Sequence, residues 1–185
     1  MRARTEADCA GPPDDSGAAL LFSEAYRELA PVVRGYLRSH GVADPEAVTQ
    51  DVFLALYPRI GSVTGGAEGL RTLVFTIAHA RYVDYCRQRA KAPRMAEYDP
   101  AVDARTSASA EDEAFGSDSQ EGILELLHGL SKDQREVITL RIVADLSLEQ
   151  TAAVTGRSVG AVKQLQRRAL LNLRNRLSLI ERVAP

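Results

Sequence analysis

The chain has 185 residues, 45% of them hydrophobic, and a formal net charge of −2, which suits one medium domain or two small ones. Its two cysteines, Cys9 and Cys86, exclude a disulfide framework. No apolar run is long enough to cross a bilayer and the N-terminus lacks a secretory layout, so a cytoplasmic protein without membrane contact is expected.

Residues 1–17 are rich in Gly, Pro, Asp and Ala and read as a disordered tail. From Ala18, Leu21, Phe22, Tyr26, Leu29, Val33 and Leu37 recur at helical spacing. Pro31 either starts a new helix or kinks this one, and Gly41 ends it. Asp44 as N-cap and Pro45 at the first helical position open a second helix to about Ile60, with Val48, Val52, Phe53 and Leu56 inward. Gly61–Gly69 reads as a glycine-rich loop. A third helix is expected over about Leu70–Ala90, with Leu73, Ile77, Ala80, Val83 and Tyr85 as its inner face and Pro93 closing it.

Residues 93–119 read as a flexible, solvated linker. Gly122–Gly129 then carries Ile123, Leu124, Leu126 and Leu127. Ser131 with Gln134 forms a capping box for a helix to about Val143, and Ser147 with Gln150 forms another for a short helix ending at Gly156. Ser158 caps a long last helix to about Ile180, and no further domain is expected after it. No strand alternation and no repeat are visible. The expected fold is all-α, with two small helical domains over 18–92 and 120–185 joined by the linker.

Charge is unevenly spread along this frame. Arg71–Arg94 carries six bases against Asp84, and Arg157–Pro185 carries seven against Glu181. Ala96–Glu121 lies between them with eight acids against Arg105. A near-neutral total thus hides two basic segments flanking an acidic one.

The most informative stretch is Leu146–Leu173. Two helices joined by Thr155-Gly156-Arg157 form a helix-turn-helix, because Gly156 permits the left-handed turn. Leu148, Thr151, Ala152 and Val154 pack the first helix. Val159, Val162, Leu165, Ala169 and Leu173 line the inside of the second. Gly160, Ala161, Lys163, Gln164, Arg167 and Arg168 are left outward, where small residues admit a helix to the major groove and long polar ones reach phosphates or base edges.

The run GLSKDQREVITLRIVADLSLEQTAAVTGRSVGAVK resembles region 4 of extracytoplasmic function (ECF) sigma factors, small members of the sigma-70 family. DPEAVTQDVFLALYPRI resembles their region 2.2, and LRTLVFTIAHARYVDYCRQRAK regions 2.3 and 2.4. The likeness spans about Leu20–Ala92 and Gly122–Leu177, in order. It departs from the family's common residues at Ala47, Leu73, Ala80, Leu165 and Gln166.

The resemblance implies a factor that binds core RNA polymerase and directs promoter-specific initiation. It implies that the N-terminal domain meets the β′ clamp helices and melts the −10 element, while the C-terminal domain docks on the β flap and reads the −35 element. Polymerase contacts are then expected on the second helix at Asp44, Glu46, Gln50, Asp51, Phe53 and Leu54, of which Glu46, Gln50, Asp51 and Leu54 share a polar-edged face. Without the resemblance that face reads as solvated. The −35 contacts are expected at Ser158, Gly160, Ala161, Lys163, Gln164, Arg167 and Arg168.

The third helix interleaves bases and rings, as melted DNA requires, because cations hold the backbone and aromatics stack on unpaired bases. Contacts to the −10 element are expected at Arg71, His79, Arg81, Tyr82, Arg87, Arg89 and Lys91. Phe75 and Tyr85 are expected in the core and Tyr82 as the stacking ring. The Gly61–Gly69 loop is placed to approach a base drawn from the stack. The resemblance implies that the acidic linker threads a basic polymerase channel, so neutralising Glu111, Asp112 and Glu113 is expected to weaken holoenzyme formation or initiation. An anti-sigma protein is a further partner of such factors that the sequence neither shows nor excludes.

An enzyme is not expected. His40, His79 and His128 fall on separate helices with no neighbouring Cys or paired carboxylate in the sequence, and neither metal-ligand spacing nor a phosphate-binding glycine motif is present. No cofactor is expected, and Cys86 reads as a packing residue. The rival reading is a stand-alone helix-turn-helix regulator with a helical sensor domain, and a second is a helical interaction module.

Overall fold

The computed structural model describes residues 15–91 and 117–183. Most of the expected tail, Pro93 and nearly all of the acidic linker, including Glu111, Asp112 and Glu113, lie outside these residues. Among the described residues there are seven α-helices and no strand: α1 (Asp15–Ser39), α2 (Pro45–Leu56), α3 (Gly66–Lys91), α4 (Ser117–His128), α5 (Lys132–Ile138), α6 (Leu148–Thr155) and α7 (Val159–Val183). No described helix is long and apolar enough to cross a membrane.

The helix ends follow from local chemistry. α1 is a single helix containing Pro31, neither broken nor restarted there. Pro31 lies on its exposed side, away from the core that fixes the helix. The helix closes at Gly41 (φ +71°), where the Gly41 and Val42 amides donate to the carbonyls of Arg38 and Leu37 at 3.0 and 3.2 Å. Asp44 opens α2, its Oδ1 accepting from the Ala47 amide at 2.9 Å. The reciprocal capping boxes Ser131–Gln134 and Ser147–Gln150 start α5 and α6. A π turn over Thr139–Val143 continues α5.

The segment read as a glycine-rich loop is mostly helical. A 3-10 turn covers Tyr57–Ser62 and α3 begins at Gly66. Gly65 and Gly66 take positive φ (84° and 61°), and a Cβ on Gly69 would collide with the Thr64 carbonyl. The glycines therefore make a tight helix entry instead of an open loop.

The main core is built from Val33, Tyr36 and Leu37 of α1, Val52, Phe53 and Leu56 of α2, and Val74, Phe75 and Ala78 of α3. Rings reinforce one end, with Tyr26 and Phe22 edge-on to Phe53 at 4.8 and 6.1 Å between centroids. Two smaller clusters hold the C-terminal half. One joins Leu127, Leu130, Ile138 and Ala169, and the other Val137, Ala152 and Val162. The two helical units also touch one another: Leu140, Ala144, Leu146 and Val154 from the C-terminal unit join the core of the N-terminal one.

That contact rotates the buried side of α3 from the expected one. Leu70, Val74, Phe75, Ile77, Ala78 and Tyr82 are buried, Ala80 is exposed, and Leu73, Val83 and Tyr85 are half-buried. The helix packs against α1 and α2 on one side and α6 on another, so its buried arc is wider than an amphipathic stripe.

Candidate nucleic-acid interface

Gly156 ends α6 in the left-handed region (φ +65°), and its role as the turn residue follows. Ser158 Oγ then accepts from the Ala161 amide at 3.2 Å and starts α7. Val162 and Ala169 point inward with no accessible surface, while Val159, Leu165 and Leu173 are half-buried beside them. The opposite side of the first turns exposes Ser158, Gly160, Ala161, Lys163, Gln164, Arg167 and Arg168 together. Gln166, one of the unusual positions, is occupied internally: its Oε1 accepts from Arg141 Nε at 3.3 Å, and Arg141 also bonds the Leu146 carbonyl. Further along, Leu148, Leu170 and Leu171 form an open apolar groove edged by Lys163, Arg167 and Arg174.

On α3 the expected contact residues split into two sets. Arg81, Arg87, Arg89 and Lys91 are exposed. Arg87 lies 3.3 Å from Asp84, and Arg89 donates to the Tyr85 hydroxyl at 3.3 Å. The other set is covered. Arg71 reaches Glu28 at 2.8 Å and the Ala144 carbonyl at 3.4 Å. His79 Nδ1 meets Glu136 Oε1 at 3.0 Å. Tyr82, expected to stack on a base, is only 4% exposed, packed edge-on to His40 (4.7 Å) with Lys132 Nζ 5.3 Å from its ring centre. Tyr85, expected in the core, is half-buried, and its hydroxyl accepts from the Ala43 amide at 3.1 Å. Phe75 is fully buried as expected.

The cluster around Glu136 was not legible in the sequence, which suggested no carboxylate beside any histidine. Glu136 is buried between His79 and Arg157, whose Nη2 is 3.7 Å from its second oxygen. Burial pushes the Glu136 carboxyl up, but the hydrogen bond and charge of His79, with His40 and Arg157, outweigh it and hold the group below its ordinary value. His40 is the reverse case. Burial drives its pKa down to about 4, against the opposing pull of the Tyr36 carbonyl and Glu136. The Tyr36 hydroxyl is raised well above its ordinary value, mainly by burial.

On α2, Glu46, Gln50, Asp51 and Leu54 are exposed, and Leu54 with Tyr57 makes an apolar spot at 72% and 52% exposure. Glu46 pairs with Arg34 at 2.9 Å. Asp44 is exposed but its carboxylate is committed to the cap. Phe53 does not belong to this surface: it is 1% exposed and sits under Phe22 and Tyr26, one position round the helix from Leu54. Tyr57 was missed, although it continues the Gln50–Leu54 edge by one turn. Among the described residues no group of three or more His, Cys, Asp or Glu side chains is placed to hold a metal ion.

Comparison with known proteins gives a consistent picture. Residues 126–175 match the family model of sigma-70 region 4. The chain is 30% identical over 175 residues to the ECF RNA polymerase sigma factor SigD of Mycobacterium tuberculosis, covering 88% of this chain and 79% of that protein. It is 29% identical over 160 residues to the ECF RNA polymerase sigma factor BldN of Streptomyces coelicolor. That alignment covers 85% of this chain but only 61% of BldN, so the chain spans about three fifths of that relative's length. Among solved structures, RpoE of Bartonella quintana, co-crystallised with the anti-sigma factor NepR, has a TM-score of 0.67 at 24% identity, covering 85% of this chain and 96% of that one. CnrH, in complex with the cytosolic domain of CnrY, has a TM-score of 0.58 at 22% identity, covering 91% and 96%. These two likenesses show the fold.

Proposed function

The chain belongs to the ECF sigma factors of the sigma-70 family, and we propose on that footing that it binds core RNA polymerase and directs it to promoters. The observation that carries the reading is the exposed start of α7. After a left-handed glycine and a serine cap, it presents two small residues and Lys163, Gln164, Arg167 and Arg168 on one face, above a helix pair locked by its own capping boxes. This face, with Ser158, reads the −35 element.

The exposed cations of α3, Arg81, Arg87, Arg89 and Lys91, hold the backbone of the −10 strand, joined by Arg71, His79 and Tyr82 once those are uncovered. Asp44, Glu46, Gln50, Asp51 and Leu54 face the β′ clamp helices, with Tyr57 extending the spot. The C-terminal half docks on the β flap. The factor works in the cytoplasm, needs no cofactor and carries no catalysis of its own. RpoE was solved with the anti-sigma factor NepR and CnrH with the cytosolic domain of CnrY, and an anti-sigma protein covering the α2 face is the matching regulator here.

Purified protein mixed with core polymerase and promoter fragments tests this. A stable complex and promoter-specific run-off transcripts are expected. Binding to duplex DNA without polymerase dependence would instead indicate a stand-alone regulator.

A further inference from the structure

The Tyr85 hydroxyl is a junction with a proton left to give. It accepts from the Ala43 amide at 3.1 Å and from Arg89 Nη1 at 3.3 Å. These two donors occupy its acceptor directions, so its own O–H points a third way. Among the described residues no acceptor meets that proton. The Tyr85 ring is half-buried, and Arg89 beside its hydroxyl is exposed.

The neighbours of this junction decide what the proton is for. Arg87 is offset by Asp84 at 3.3 Å. Arg89 instead rests on a neutral hydroxyl and, among the described residues, on no acid, so it keeps its full charge. Tyr85 is in turn tethered to the backbone between α1 and α2, which holds Arg89 in place before anything binds. A guanidinium held in this way loses less rotamer freedom when it takes a ligand. A positive fork beside an O–H donor fits an anion with several acceptor oxygens, as a phosphate has. Arg81, also exposed, stands one turn before Tyr85 and Arg89 one turn after it, at about 6 Å per step along one edge of the helix. Such a row suits the backbone of an extended nucleic-acid strand better than a lone small anion.

We infer that Tyr85 and Arg89 form one phosphate-holding unit on α3. The Tyr85 O–H donates to a phosphate oxygen of the DNA strand, Arg89 supplies the charge, and the Ala43 amide fixes both. The inference rests on reading α3 as the −10 surface and adds to that surface a residue whose spacing suggested the core. A phosphate contact carries no base information, so the unit contributes affinity and not sequence preference.

Tyr85→Phe in the full chain tests it, because it keeps the ring and removes only the hydroxyl. The probe is a labelled oligothymidylate followed by fluorescence anisotropy. Tyr85→Phe is expected to bind it about 5-fold more weakly. Arg89→Ala is expected to weaken binding and to lower the slope of log affinity against log salt by about 0.7. Adding Tyr85→Phe to Arg89→Ala is expected to cost about 2-fold more at most, since the unit is already broken. Arg89→Lys is expected to restore the slope but less than half of the lost affinity, because an ammonium lacks the planar fork. Unchanged binding in Tyr85→Phe, a double variant that multiplies the two single losses, or full rescue by lysine would overturn the inference. If Tyr85→Phe lowers the urea midpoint, Arg89→Ala and Arg89→Lys, at an exposed position, decide the matter by themselves. Failure of the α3 reading looks different: Arg81→Ala with Arg87→Ala would then leave oligothymidylate binding unchanged as well, whereas failure of the unit alone leaves the loss in that variant intact.

Discussion

His79 Nδ1 and Glu136 Oε1 lie 3.0 Å apart, and the two residues belong to opposite halves of the chain. The contact is buried, with Glu136 at 5% exposure, and the Tyr36 hydroxyl stands 3.4 Å from the same nitrogen. A carboxylate removed from water in this way needs its partners, and removing one costs more than the pair itself contributes.

Acid should weaken the fold through His40. Its folded pKa is lowered from 6.5 to about 4, so the unfolded chain takes up the proton first on acidification. Stability is therefore full above pH 6.5 and falls as the pH drops toward 4, by at most about 3 kcal/mol. Glu136 acts in the same direction, since its lowered carboxyl favours the fold above its ordinary pKa and this is lost at lower pH. Denaturant titrations at several pH values should show this slope, and His40→Asn should flatten it. An unchanged slope in that variant would assign the effect elsewhere.

Arg135 is expected to be a stability residue. Its guanidinium donates to the carbonyls of Leu127, His128 and Leu130 at 2.9, 3.0 and 3.3 Å, and to Ser39 of α1 at 3.4 Å. Arg135→Ala removes all four bonds, leaving the Leu127 carbonyl only the Leu130 amide, and should cost about 2–3 kcal/mol in urea unfolding. Arg135→Lys should recover less than half of that, because an ammonium cannot span the fork.

Neighbouring positions on α2 should separate folding from binding. Phe53→Ala opens the core beneath Phe22 and Tyr26 and should destabilise by about 3–5 kcal/mol. Leu54→Ala, at 72% exposure, should change stability by less than about 0.5 kcal/mol yet weaken the complex with core polymerase in a pull-down or anisotropy assay.

The face of α7 should show itself in salt dependence. Lys163→Ala and Arg167→Ala should each lower the slope of log affinity against log salt by about 1 for −35 duplex bound by the holoenzyme, whatever the sequence. Gln164→Ala should instead alter the preferred sequence with little change in slope. Equal slopes in all three variants would remove these side chains from the phosphate contact.

Much of this fold was legible in the sequence because it is written locally. Asp44-Pro45, the pairs Ser131–Gln134 and Ser147–Gln150, and Gly156 each act within one turn of chain, and each stands where its type demands. The outward face of α7 was legible for the same reason, since small and charged residues recur on one side of it. The α3 face was not. Tyr82 sits among cations like a stacking ring, and only the packing of α1 against it, through Tyr36 and His40, with Lys132 arriving from α5, explains its burial. His79 and Glu136 likewise reveal nothing until two units meet. The span from Gly61 to Gly69 misled because glycine marks both open loops and tight entries, and the Thr64 carbonyl above Gly69 decides which.

Arg157 sits in the turn before α7, tied to Asp133 at 2.7 Å and facing Glu136, whose other oxygen holds His79. One carboxylate thus touches both α3 and the turn before α7. Thermodynamic reciprocity then applies: an event at α3 that withdraws His79 changes the free energy of Arg157's place in the turn, and an event at the turn returns the same free energy to α3. On the proposed reading of α3 and α7, a contact made at one helix would be felt at the other through this single shared carboxylate.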